Sequence, residues 1–162
     1  MKQSLTNTSF NLSILILSLS MLVSAATRFS GSPRVSEGEH EKRVREFVEA
    51  FNSRDIDRML SLVDDNIQWL HIDGEKLTVN TNGKAALRES MTRYFRSCAS
   101  CKSSLEWVQT AGNRAAAMER ASWTGKQGPK SQSSLSVYEF RDGKILRVYY
   151  FPAEAQSNAA KP

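Results

Sequence analysis

Asp64-Asp65-Asn66-Ile67-Gln68-Trp69-Leu70-His71-Ile72-Asp73-Gly74 is the stretch on which the fold turns. Two amphipathic helical patterns precede it, and an Asp-Gly turn signal closes it. Between those limits Ile67, Trp69 and His71 alternate with Gln68, Leu70 and Ile72, which is the period of a β-strand. One face of that strand carries an aromatic and a titratable ring side by side. That face is expected to line a pocket.

Upstream, Ser36-Glu37-Gly38-Glu39 has the spacing of a capping box, Ser at the cap and Glu three residues on. Val44, Phe47, Val48 and Phe51 then recur on one helical face. Asn52-Ser53 ends this helix, and Ser53 is placed to cap a second one, whose apolar stripe is Ile56, Met59, Leu60 and Val63. His40, in the opening turn of the first helix, is expected in solvent.

Downstream, Lys76 to Thr81 reads as a short extended piece, and Asn82-Gly83 starts a third helix that buries Leu87, Met91, Tyr94 and Phe95. After Ser97-Cys98-Ala99-Ser100-Cys101 the period changes to two. Ser103 to Thr110 and Arg114 to Thr124 flank a Gly112-Asn113 turn. Gly125 to Lys130 reads as a loop, and Ser131 to Arg141 and Lys144 to Phe151 are strands joined by Asp142-Gly143, a strong hairpin signal. Helix, helix, strand, helix and then a run of strands is an α+β order. A curved sheet cannot close flat against three short helices, so a hollow is expected between the layers.

The 162 residues suffice for one domain with a core, and 40% hydrophobic and 24% charged residues are ordinary for a globular protein. The net charge is +5, but the basic residues are spread along the chain without interleaved aromatics, which argues against nucleic acid as a partner. Leu12 to Val23 is a short apolar run after Lys2, and small residues, Ser24-Ala25-Ala26, follow it. This pattern reads as a signal peptide over 1–26 and a secreted or periplasmic protein with no membrane segment after cleavage; an uncleaved N-terminal anchor is the alternative. Residues 27–38 read as a linker and 153–162 as a disordered tail.

Cys98 and Cys101 are the only cysteines. A reactive Cys-x-x-Cys pair sits at a helix N-terminus, whereas this one follows a helix C-terminus. A local structural disulfide is therefore favoured over a redox centre in an oxidising compartment. Two cysteines with distant single histidines make a poor zinc site. There is no phosphate loop, nucleophile elbow or dinucleotide fingerprint, so no metal and no cofactor is expected.

These stretches together resemble the nuclear transport factor 2-like superfamily, which includes SnoaL-like polyketide cyclases and ketosteroid isomerases. The similarity is carried by the segments 44–57, 62–69, 83–87 and 140–145, and spans 39–152. It implies a cone in which three N-terminal helices pack on a curved, mostly antiparallel sheet that encloses a pocket. Set against a ketosteroid isomerase, His71 falls at the aspartate base, Phe47 at the oxyanion-hole tyrosine, and Ser136 near the protonated aspartic acid. With both donors replaced, steroid isomerase activity is not expected.

The resemblance also turns the Glu119, Ala121, Trp123 face of its strand inward, where small alanines leave volume for a ligand. The expected site is then Trp69, His71, Glu119, Trp123, Ser136, Tyr138 and Tyr150, with Val148 beside Tyr150. Aromatic walls with a few polar groups suit a small hydrophobic molecule. A second reading gives an isomerase, cyclase or dehydratase, with His71 as general base steered by Glu119, and Tyr138 or Ser136 donating to an oxyanion. Outer-face Tyr149 and Phe151, flanking Arg147, suit a homodimer.

Overall fold

The structure is a computed structural model and describes residues 37–153. The expected signal peptide, the Ser36 cap and nearly all of the expected tail lie outside the described residues. The element order is α1 (Glu37–Ser53), α2 (Ile56–Ser61), β1 (Val63–Asp73), β2 (Lys76–Asn82), α3 (Lys84–Ser97), β3 (Lys102–Ala111), β4 (Arg114–Gly125), β5 (Gly128–Arg141) and β6 (Lys144–Tyr150).

α1 buries one stripe, His40, Val44, Phe47 and Val48, with Phe51 half-buried at its end, the i, i+4, i+7 rows of a surface helix. It stops at Arg54, which adopts a left-handed φ of 61°. The Arg54 amide then donates to the Phe51 carbonyl and the Asp55 amide to the Ala50 carbonyl. That pair of bonds closes a helix C-terminus, here without the usual glycine. Asp55, not Ser53, caps α2 by accepting from the Arg58 amide at 2.9 Å. Ser53 remains inside α1 and donates to the Glu49 carbonyl. The cap moved two residues along because the reversal at Arg54 lies between the helices.

The six strands form one sheet in the order β2-β1-β6-β5-β4-β3. Only β1 and β6 pair in parallel; every other neighbouring pair is antiparallel. The result is an α+β fold with helices on one face of a mixed, open sheet, α1 against β3 and β4 and α3 against β1 and β2. The expected loop over Gly125–Lys130 is shorter than its composition implied. Strand pairing continues to Thr124 with Pro129 and Gly125 with Gly128, leaving a two-residue turn. Pro129 is tolerated because β6 pairs with β5 only from Ser136 onward, so this end of β5 needs no second set of ladder bonds.

Alternation puts Ala115, Ala117 and Glu119 of β4, and Ser134, Ser136, Tyr138 and Phe140 of β5, on the buried face. Ala115, Ala117, Tyr138 and Phe140 join Val44, Phe47, Met59, Ile67, Leu87, Ile145 and Val148 in the core. Each fully buried aliphatic side chain contributes about 1.5–3 kcal/mol. His40 joins that core instead of standing in solvent. Its ring stacks on Phe140 at 4.2 Å, and its Nδ1–H donates to the Gly112 carbonyl at 3.1 Å. At position i−4 from Val44 it continues the apolar stripe, which is the signal its polarity hides. Among the described residues no helix is long and apolar enough to cross a membrane.

Candidate functional site

α1 and α3 both pack on the sheet and touch each other through Phe51 against Tyr94 and Phe95. A cavity of about 350 Å³ remains between these helices and the sheet. Phe47, Val48 and Phe51 of α1 form one wall, and Met91 and Tyr94 of α3 another. The sheet supplies the floor through Trp69, Glu119, Tyr138 and Tyr150. Trp69 and Tyr150 lie on adjacent, parallel-paired strands, and their rings stack at 5.8 Å with 19° between planes. Phe47 closes the inner end against Trp69 at 6.2 Å and Tyr138 at 6.4 Å.

The polar centre of the floor is Glu119, only 5% exposed. Four hydroxyls converge on its carboxylate. Ser136 and Tyr138 donate to Oε1 at 2.6 and 2.5 Å. Tyr150 and Ser103 donate to Oε2 at 2.9 and 3.2 Å. A carboxylate has about four lone-pair positions, so this set fills them. No described lysine, arginine or histidine forms an ion pair with it. Burial, and then the charge of Glu119, pushes the Tyr138 phenol far above its ordinary value. The same two causes raise Tyr150. Both side chains are thereby held as neutral O–H donors.

Ser103 reaches this group because β3 is pinned at its start. The Asn52 amide donates to the Ser103 carbonyl at 2.7 Å and accepts from the Ser103 amide at 2.8 Å. The Cys98–Cys101 disulfide fixes the connection just before it. Sequence reading did not find Ser103, nor Phe51 and the α3 wall, as parts of the site. The Phe47, Val48, Phe51 stripe contained the signal for α1, but Ser103 is placed only by strand register.

The cavity gathers Trp69, His71, Glu119, Tyr138 and Tyr150. Ser136 is fully buried behind Glu119 and Tyr138 and does not reach the wall. Trp123 is not on the wall either. The lining on β4 and β5 ends at the Ala121–Gln132 pair, and Trp123 lies two residues further out, opposite Lys130. His71 is half-buried on the wall, and among the described residues its ring makes no hydrogen bond, so Glu119 does not steer it. The acceptor positions that would do so are taken by hydroxyls. Among the described residues no three His, Cys, Asp or Glu side chains gather as a metal site would require.

Compared with known families, residues 44–148 match the SnoaL-like domain. The chain belongs to this family. No functionally curated protein matches it. Similar solved structures share the fold at low sequence identity. A cystatin-like-fold protein of unknown function from Methylobium petroleophilum PM1 has a TM-score of 0.65 at 17% identity, covering 80% of this chain and 86% of that one. Bal32a, from a soil-derived mobile gene cassette, gives 0.61 at 22%, covering 70% and 88%. TerC, co-crystallized with polyporic acid, gives 0.60 at 19%, covering 69% and 89%. In this SnoaL-like domain the open end of the cone is the cavity built around Glu119.

Proposed function

We propose that this SnoaL-like domain binds a small hydrophobic molecule with a planar portion in the cavity over Glu119. The observation that carries the reading is the Trp69–Tyr150 stack on the floor of a cavity of about 350 Å³, walled by Phe47, Phe51 and Met91. Such a space accepts a fused-ring ligand, and apolar walls with a few fixed polar groups are the usual make-up of a ligand site. TerC's co-crystallization with polyporic acid supports a small-molecule role for this architecture. Because Trp69 stands on the floor, a bound aromatic ligand should quench tryptophan emission. Titration with methylnaphthalene should give saturable quenching and a raised melting temperature. Linear, non-saturating quenching with no thermal shift would contradict the reading.

General-base chemistry is the second reading, favoured by one observation: the His71 ring lies on the cavity wall with no described hydrogen bond. The oxyanion donors expected for it are already engaged, since the single protons of Ser136 and Tyr138, like that of Tyr150, are directed to Glu119. Deuterium exchange α to the carbonyl of methyl naphthyl ketone tests it, with no acceleration over buffer expected.

The chain is further proposed to be exported, on the apolar run Leu12–Val23 with its small-residue exit and on the Cys98–Cys101 disulfide. N-terminal sequencing of secreted material should begin near Ala26 or Thr27. The outer sheet face is proposed to pair with a second copy. Register lays Trp107, Met118 and Leu135 in one row and Ala116, Val137, Tyr149, Leu70 and Val79 in the next. Trp107 and Val79 are 39% and 48% exposed while Leu70 between them is buried, and exposed apolar side chains on one face can serve both halves of a two-fold interface. Sedimentation of the Trp107→Glu variant should show monomer where the parent is dimeric.

A further inference from the structure

We infer that the buried end of the cavity selects ligands carrying an N–H or O–H donor, a protonated amine most strongly, and discriminates against carboxylates. The inference rests on the binding reading above and adds the chemistry of the anchoring group. It follows from counting protons. Tyr138 and Tyr150 each have one hydroxyl proton, and each gives it to Glu119, at 2.5 and 2.9 Å. Ser136 and Ser103 give theirs to the same carboxylate. A hydroxyl that has donated its only proton has just lone pairs left to offer. The buried floor therefore presents acceptors, although it is built from groups that usually count as donors.

Charge points the same way. Glu119 is surrounded by dipoles and no described cation pairs with it. Lys102 is on the lining, but it is exposed at the mouth and its Nζ donates to the Asn52 carbonyl at 2.5 Å. An ammonium group brought to the floor meets the Glu119 carboxylate and the rings of Trp69 and Tyr150, which line the same cavity. Aromatic faces attract cations, and the carboxylate offsets the cost of taking the ammonium out of water. A ligand carboxylate brought to Glu119 meets like charge, and the four hydroxyls there have already given their protons away.

Four ligands of equal ring size test this on the wild-type chain by calorimetric titration: naphthylmethylamine, naphthylmethanol, methylnaphthalene and naphthoate. A hydrogen bond to a charged group is worth about 1.5–3 kcal/mol, so the amine should bind at least about tenfold tighter than methylnaphthalene. The alcohol should fall between them and naphthoate should be weakest. Equal affinities for amine and hydrocarbon, or naphthoate as the tightest, overturn the donor selection and leave hydrophobic binding standing. No binding by any of the four overturns both. Glu119→Gln, if circular dichroism shows it folded, should erase most of the amine's advantage with little change for methylnaphthalene. Tyr150→Phe gives an independent check, because it frees a lone pair on Oε2. The freed carboxylate position replaces the lost phenol oxygen as acceptor, so the amine should keep its advantage over methylnaphthalene; loss of that advantage contradicts the inference.

Discussion

Two carboxylates on opposite faces of the same sheet are satisfied in opposite ways. On the outer face Glu139 meets Arg147 at 3.2 Å and Arg114 at 4.0 Å, and accepts from the Tyr149 hydroxyl at 3.1 Å. On the inner face Glu119 meets only hydroxyls. The outer group is neutralised by cations close to solvent. The inner one is held by neutral dipoles in a cavity, so its charge remains to act on whatever enters. A carboxylate used only to hold strands together has no need of that arrangement. The contrast is the reason to look for function inside the cone.

The contrast breaks most sharply if Glu119 is removed. Glu119→Leu removes the acceptor of four hydroxyls, leaving fully buried Tyr138 without one and Ser136 only the Ala117 carbonyl at 3.4 Å, and should cost about 3–5 kcal/mol in chemical denaturation. A loss below about 1 kcal/mol would mean that water already satisfies the group.

How much of this was legible beforehand depended on register. Alternation alone put Trp69 and His71 on one face of β1, because a strand's faces cannot be exchanged without a slip. The same rule put Glu119 and Ala121 together on β4. It failed for Trp123, which shares that face but lies where the β4–β5 hairpin has run past the cavity. Reading Gly125–Lys130 as a loop hid the length of that hairpin, and with it the pairing that lines up Ala117 with Ser136 and Ser136 with Tyr150. Without those pairs the convergence of four hydroxyls on Glu119 cannot be seen. His40 was misplaced for a different reason. Its polarity outweighed its position in the α1 stripe, although a stacked ring with one hydrogen bond is readily buried.

Alkaline titration sharpens the comparison between faces. Tyr138 and Tyr150 have folded values raised above the ordinary phenol value of 10.0. A raised group stabilises the fold fully below the unfolded value and loses that contribution as pH rises, because the unfolded chain releases its protons first. Stability should therefore fall as pH climbs above 10.0, with phenolate absorbance in the native protein lagging behind the denatured chain. Outer-face Tyr149 is also raised, first by burial and then by Glu139. It should ionise before fully buried Tyr138. The reverse order would contradict the assignment of faces.

The smallest effect is expected outside. Glu139→Gln leaves Arg147 its bond to Gln68 at 3.0 Å and should cost less than about 1 kcal/mol. Added salt should shrink even that difference, whereas the Glu119→Leu loss should persist in high salt.

The cavity itself is tested most directly by filling it. Ala121 is a half-buried wall residue two positions from Glu119 on β4 and opposite Ser103 on β3, and Ala121→Phe places a ring in the cavity while leaving Glu119 and its four hydroxyl partners in the chain. Methylnaphthalene titrated against this variant and the parent, with melting temperatures measured on both, decides the matter. The variant should be folded and should have lost saturable binding. An unchanged dissociation constant in a folded variant would contradict it, and the ligand would have to bind elsewhere.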